Sequence, residues 1–238
     1  MKTTSSLPLV RVTAFLSATV LMGCVTGSGR PETKSFALEG FDAVEINEDV
    51  ELEITRADTF SVSVTADDNL WDDLEVNVSD GALHVELPWD TFYSGIKVHA
   101  KVSMPSLTGV HTRQDARATF SGFESSAKLD LHASGASEID GDANVEALSL
   151  DLSGSSGAVL TGAATKVTVS ASGSSDCNLG ELDAASVDVK LSGLSDGIVS
   201  ARESLDYDLS GASHLVYFGD PTIGVSETSG QSSAEHKD

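Results

Sequence analysis

The amino-acid sequence predicts an all-β chain: a parallel β-helix, or solenoid, with ~19-residue rungs, preceded by a strand-rich N-terminal region. Three observations carry this. Ser-Gly pairs recur at Ser134-Gly135, Ser153-Gly154, Ser172-Gly173, Ser192-Gly193 and Ser210-Gly211, with glycine spacings of 19, 19, 20 and 18, and a weaker pair follows at Ser229-Gly230. Apolar residues alternate with polar ones before each of the first five glycines, the period of a half-buried strand. No stretch sustains the 3.6-residue period of a long amphipathic helix.

The chain opens with a targeting segment, residues 1–23. Lys2 and Arg11 supply positive charge, and the apolar run from Val12 to Leu21 is short of the ~20 residues a membrane span needs. It ends in Leu21-Met22-Gly23-Cys24, which resembles a bacterial lipobox. That resemblance implies lipidation of Cys24 after cleavage before it, and so a membrane partner reached through the lipid. Two or more acyl chains anchor stably where one holds marginally. Val25 in place of an Asp implies the outer membrane rather than retention at the inner one. The only other cysteine is Cys177, so an acylated Cys24 leaves no intramolecular disulfide. Residues 24–35 then read as the lipidated Cys and a linker without periodicity.

Residues 36–106 form the N-terminal β region, with strands expected over 41–46, 50–54, 60–64, 74–78, 83–87 and 96–104. In the second, Val50, Leu52 and Ile54 face one way and Glu51 and Glu53 the other. Ser79-Asp80-Gly81 is a hairpin signal. Asp67 to Leu74 is the one candidate helical turn.

Residues 107–230 form the solenoid. Its rungs carry Leu129, Leu131, Ala133; Leu148, Leu150, Leu152; Val167, Val169, Ala171; Val187, Val189, Leu191; and Leu205, Tyr207, Leu209 before the corner. Two residues after each corner glycine comes Ser137, Ser156, Ser175, Ser195 or Ser213. One unit cannot close a core alone, but stacked units bury their inward columns against each other. Glycine suits a corner of positive φ or close chain approach, and the serine column suits a ladder bonding to backbone. The preceding unit departs from the pattern, with Gln114-Asp115 where Ser-Gly is expected. Residues 231–238 read as a polar tail.

Phe41-Asp42-Ala43-Val44-Glu45-Ile46, Ala66-Asp67-Asp68-Asn69-Leu70, Met104-Pro105 with Leu107 and Val110, and the Ser-Gly repeats together resemble the bacterial family "putative auto-transporter adhesin, head GIN domain". The resemblance covers residues 36–230 as one domain and implies a β-helical secreted or cell-surface protein.

Charge and motifs narrow the function. Lys plus Arg total 14 against 37 Asp plus Glu, a formal charge of −23, which argues against nucleic acid as a partner. Gly193-Leu194-Ser195-Asp196-Gly197 matches a nucleophile elbow, with Asp206, Asp208 and His214 following in hydrolase order. The elbow needs a helix after the serine, however, and the same serine recurs in four other rungs, so no catalytic residue is expected. The six histidines show no metal-ligand spacing, and no metal or cofactor is expected. Cys177 falls in an inward column with Ile139 and Leu215, as an inert thiol. Outward Asp130, Asp151, Asp188, Asp206 and Asp208, with Glu138, Asp176 and Asp196 at corners, read as solvated carboxylates, weak Ca²⁺ binding being the alternative. The expectation is a non-catalytic, lipid-anchored, envelope-displayed binding or structural module with adhesin character, meeting a surface protein or glycan. The alternatives are a carbohydrate-active β-helix enzyme and an envelope signalling or stress partner.

Overall fold

The computed structural model describes residues 24–238, so the expected signal peptide lies outside the described residues. The strands, in chain order, are β1 (Cys24–Thr26), β2 (Pro31–Phe36), β3 (Ala43–Ile46), β4 (Val50–Arg56), β5 (Ser61–Asp67), β6 (Glu75–Ser79), β7 (Ala82–Glu86), β8 (Phe92–Ser94) and β9 (Val98–Met104). They continue as β10 (Gly109–Gln114), β11 (Arg117–Gly135), β12 (Glu138–Gly154), β13 (Gly157–Ala171), β14 (Asp176–Leu191), β15 (Asp196–Leu209), β16 (His214–Phe218), β17 (Thr222–Thr228) and β18 (Ser233–Lys237). No helix is assigned among the described residues, and residues 67–74 form hydrogen-bonded turns, Leu74 N–H donating to Leu70 O at 2.8 Å.

The repeats coil as a parallel β-solenoid of about six turns. Each long strand bends, so its second half lies on one face, here the first, and its first half on another, the second. Stacking then follows the repeat register. On the first face Leu131, Leu150, Val169, Val189 and Tyr207 are successive neighbours. On the second, Ile139, Ala158, Cys177, Gly197 and Leu215 are. Apart from half-buried Tyr207 and the glycine, these side chains are at most 2% exposed. Complete burial of a Val or Leu side chain contributes about 1.5–3 kcal/mol, so each rung is stabilised chiefly by its neighbours.

The same columns run on into the N-terminal region. Leu83, Val44 and Val110 lead into Leu131, while Val64, Ala100, Leu52 and Ala118 lead into Ile139. β3 with β4, and β7 with β9, therefore make rungs of the solenoid itself. Antiparallel strands close this end: β6 on β7, and β5 with β2 on β9. The β6–β7 hairpin turns through Asp80 (φ 50°) and Gly81 (φ 82°), the two positive-φ positions that the Asp-Gly signal supplies.

The corners fit the serine-glycine reading. Gly154 has φ 83°, and a Cβ on it would meet the Gly135 carbonyl oxygen at 2.6 Å. Ser137, Ser156, Ser175, Ser195 and Ser213 are all buried, each donating to the carbonyl of the serine three residues back at 2.9–3.0 Å. Gly230 (φ 74°) and Ser232 repeat the device.

Three local expectations change. The departing corner is Arg113-Gln114, because Gln114 pairs with Gly135 and takes the left-handed conformation (φ 62°). The end of the expected linker, residues 24–35, belongs to a strand, Pro31–Phe36, antiparallel to β5 and tied by Thr33 Oγ1 to Thr65 Oγ1 at 2.7 Å. Its side chains mostly face water, so it carries no apolar alternation. Within residues 231–238, Ser233–Lys237 is a strand on β16 for the same reason.

Candidate functional site

Two features of the closed end bring chemistry together. The first is the start of the described chain. Cys24 is exposed, and β1 lies parallel to β8 with Cys24 opposite Phe92, Val25 opposite Tyr93 and Thr26 opposite Ser94. The alternation turns Tyr93 inward and leaves Phe92 65% exposed. In the loop just before β8, Trp89 is 83% exposed. The residues after Cys24 are held closely: Asn69 Nδ2 donates to Thr26 O at 3.0 Å, Gly27 N–H donates to Ser94 O at 3.2 Å, and Arg30 pairs with Asp68 at 3.1 Å. A group on Cys24 would thus sit beside the exposed Phe92 ring, with exposed Trp89 in the loop that leads into the same strand.

The second is an outward column on the first face. His84, Glu45, His111 and His132 are cross-strand neighbours on β7, β3, β10 and β11, on rungs about 4.8 Å apart. Glu86 lies two residues beyond His84, on the same face of β7. His84 Nδ1 is 3.9 Å from Glu45 Oε2 and 3.8 Å from Glu86 Oε2. Its Nε2 is 3.0 Å from Ser79 Oγ across the hairpin. Arg113, from β10, reaches Glu45 Oε2 at 2.8 Å and Glu86 Oε1 at 3.2 Å, and His111 Nδ1 is 3.3 Å from Glu45 Oε1. Buried Asn47 fixes the end of β7: its Nδ2 donates to Leu87 O at 2.9 Å, and Leu87 N–H donates to its Oδ1 at 2.8 Å. Beside this cluster lies a groove of about 650 Å³, bordered by Glu86, Trp89, Asp90, Arg113 and Gln114.

Next to the groove the corner column carries charge where the repeats carry glycine. Gln114 Nε2 donates to Glu48 Oε1, and Glu48 N–H donates back to Gln114 Oε1 at 3.3 Å. Burial pushes the Glu48 carboxyl up from its ordinary value, the Gln114 bond opposes this, and Asp49 and Asp115 add to it. Burial, then Asp115, raises Asp49 in the same way.

The candidates weighed in the sequence fall elsewhere. Ser195 is fully buried and donates to Ser192 O at 2.9 Å, in a ladder with its four counterparts. His214 pairs with Ser233 and Glu235, and Asp206 accepts from Val225 N–H, so the hydrolase-order residues do not converge on Ser195. Cys177 is buried, and desolvation pushes its thiol up to about 12. Asp188 with Asp206, and Asp176 with Asp196, are neighbours along the stack. Among the described residues, though, the one group of three or more His, Cys, Asp or Glu that could hold a metal ion is Glu45, His84 and Glu86. Sequence spacing did not find it because the residues meet across rungs. The signal was available in Val44-Glu45-Ile46, Leu83-His84-Val85 and Val110-His111-Thr112, which align once all three are read as one face.

The family described as "Putative auto-transporter adhesin, head GIN domain" matches residues 40–221. Among solved structures, a "putative adhesin" from Bacteroides fragilis NCTC 9343 is 18% identical with a TM-score of 0.81, covering 90% of this chain and 100% of that one. A "putative lipid binding protein" from Parabacteroides distasonis ATCC 8503 is 20% identical at TM-score 0.70, covering 91% and 100%. A "putative adhesin" from that same strain is 17% identical at TM-score 0.67, covering 90% and 100%. None of the curated proteins matches the chain. At these identities the solved structures establish the fold.

Proposed function

Because the chain belongs to the auto-transporter adhesin head GIN domain family, we propose that it is a lipid-anchored, envelope-displayed adhesin module. It stands on the outer membrane by its closed end and presents its rungs to a surface protein or glycan. The observation that supports this best is the pairing of exposed Cys24 with Phe92, which sets the lipidation candidate beside an exposed aromatic ring, with exposed Trp89 in the preceding loop. Aromatic rings favour the membrane–water interface, and acyl burial contributes about 0.8 kcal/mol per CH₂. Without Lys2 and Arg11 the formal charge is −25, which holds the body of the rod away from anionic surfaces. The buried serine ladder and inert Cys177 favour a binding role over a carbohydrate-active enzyme or another hydrolase.

Membrane fractionation with acyl-chain labelling tests the anchor in a host that processes lipoproteins. Wild type should label and sediment with membranes, whereas Cys24→Ala should lose the label and the attachment. Unchanged attachment of Cys24→Ala would overturn the lipoprotein reading. Binding to glycan and envelope-protein arrays tests the adhesin role separately.

A further inference from the structure

We propose that Glu45, His84 and Glu86 form a binding site for one divalent transition-metal ion of the zinc class, with Arg113 as the resident cation that competes for it. The donor atoms all lie within 4.8 Å of one another. The 3.8 and 3.9 Å separations from His84 Nδ1 to the two carboxylates are too long for hydrogen bonds. They lie within the roughly 4.4 Å that two donors on one ion can span at Zn–N and Zn–O bonds of about 2.0–2.2 Å, and a closure of about 0.5 Å would bring them to tetrahedral spacing. One imidazole with two carboxylates suits zinc, whereas calcium takes six to eight oxygens.

The surroundings of the imidazole point the same way. Ser79 Oγ lies at hydrogen-bond distance from His84 Nε2, the outer-shell partner that a metal-bound histidine ordinarily has. In the tautomer whose Nε2–H donates to Ser79 Oγ, Nδ1 turns a lone pair toward two carboxylates, an arrangement that a cation between them relieves. The three ligands sit on paired strands, and Asn47 pins the chain just past Glu86, so the geometry is held before any ion arrives. His111 takes the far oxygen of Glu45 and orients its carboxylate.

Arg113 limits affinity. It bonds the Glu45 oxygen that faces His84, but the Glu86 oxygen that does not. An ion must therefore displace it from Glu45 only. Because the ligands come from β3 and β7, a bound ion would clamp the outermost rung to the next one.

The test is titration of the full chain, purified in detergent in whatever processed form it carries, with Zn²⁺, with Co²⁺ absorption and thermal melts in parallel. The expected result is one ion per chain, a cobalt spectrum of low coordination number and a saturable rise in Tm. His84→Ala and His84→Gln should each lose at least tenfold in affinity together with the Tm rise. Ser79→Ala should lose about tenfold, Arg113→Gln should bind more tightly, and His236→Ala, at the other end, should match wild type. No saturable uptake, or uptake undiminished in both His84 variants, would overturn the site. Neither outcome depends on lipidation or on adhesion.

Discussion

The repeats and the N-terminal rungs build one set of inward columns from different corner chemistry. In the repeats, every corner from Gly135 to Gly230 is a glycine of positive φ, set against the backbone of the rung before it. In the N-terminal rungs Gln114 (φ 62°) and Glu48 (φ 52°) hold the same left-handed conformation and bond to each other through their side chains. Left-handed backbone costs an ordinary residue about 1–2 kcal/mol, so the strain is tolerated where a side-chain bond offsets it. The comparison teaches that rung geometry is fixed by stacking. A repetitive sequence is the economical way to meet that geometry, and other sequences meet it too. The ends differ accordingly. The closed end alternates direction, with β6 against β7, β5 against β9 and β2 against β5, while at the far end every side chain of β17 is exposed.

The largest effect should be shared by both regions. Leu150 in the repeats and Leu83 in the N-terminal rungs belong to one buried column, at 1% and 0% exposure. Leu→Ala at either should cost about 2–5 kcal/mol in urea melts. Asp151→Ala, one residue from Leu150 and outward, should stay within about 0.5 kcal/mol. A small effect at Leu83 would mean that the N-terminal rungs are not continuous with the repeat core.

The next effect should separate the regions. A Cβ at Gly154 meets the preceding backbone at 2.6 Å with φ at 83°, so Gly154→Ala combines collision with strain. It should cost about 2–4 kcal/mol in the same melts. Gln114→Gly relieves a strained conformation while losing one side-chain pair, and should stay within about 1 kcal/mol of wild type. Equal losses at the two corners would show that they are not alternative solutions to one geometry.

Legibility in the sequence follows the same division. The repeats declare their register because Leu131, Leu150, Val169 and Val189 recur with a serine-glycine corner, so face, core and turn were all readable. Strands β2 and β18 were not, because backbone ladders and mostly polar side-chain contacts such as Thr33 with Thr65 and Ser233 with His214 hold them, and Thr33 or Glu235 leaves no apolar period. The N-terminal strands were legible singly, through the alternation of Val50, Leu52 and Ile54. Their place in the stack was hidden because Leu83 precedes Val110 in the chain but stacks beyond Val44. The same crossing concealed the Glu45, His84 and Glu86 cluster, whose members are local in space and 41 residues apart in sequence. At Cys24 the sequence offers a lipobox-like motif. The exposed ring of Phe92 beside it was not legible, because nothing local to Phe92 refers to residue 24.

The smallest effect tests whether charge at the N-terminal corner weakens it. Glu48 and Asp49 both have carboxyl pKa values raised by burial, with Asp115 adding repulsion to each. A carboxyl whose folded pKa exceeds its unfolded one binds protons more tightly when folded. Its contribution is therefore fully present below the unfolded pKa and is lost as pH rises through the folded value. At pH 7 the two groups thus cost stability. Asp115→Asn removes one repulsive partner from both, so the variant should be more stable than wild type at pH 7. The corner is open to solvent, which limits the gain to a few tenths of a kcal/mol. The gain should shrink as pH falls through the raised values and vanish below the ordinary carboxylate range of about 4, where the carboxyls are neutral in both proteins. Paired urea melts of wild type and Asp115→Asn across that range measure it. A gain that persists at low pH would trace the effect to packing or backbone, and repulsion would no longer distinguish this corner from the glycine ones.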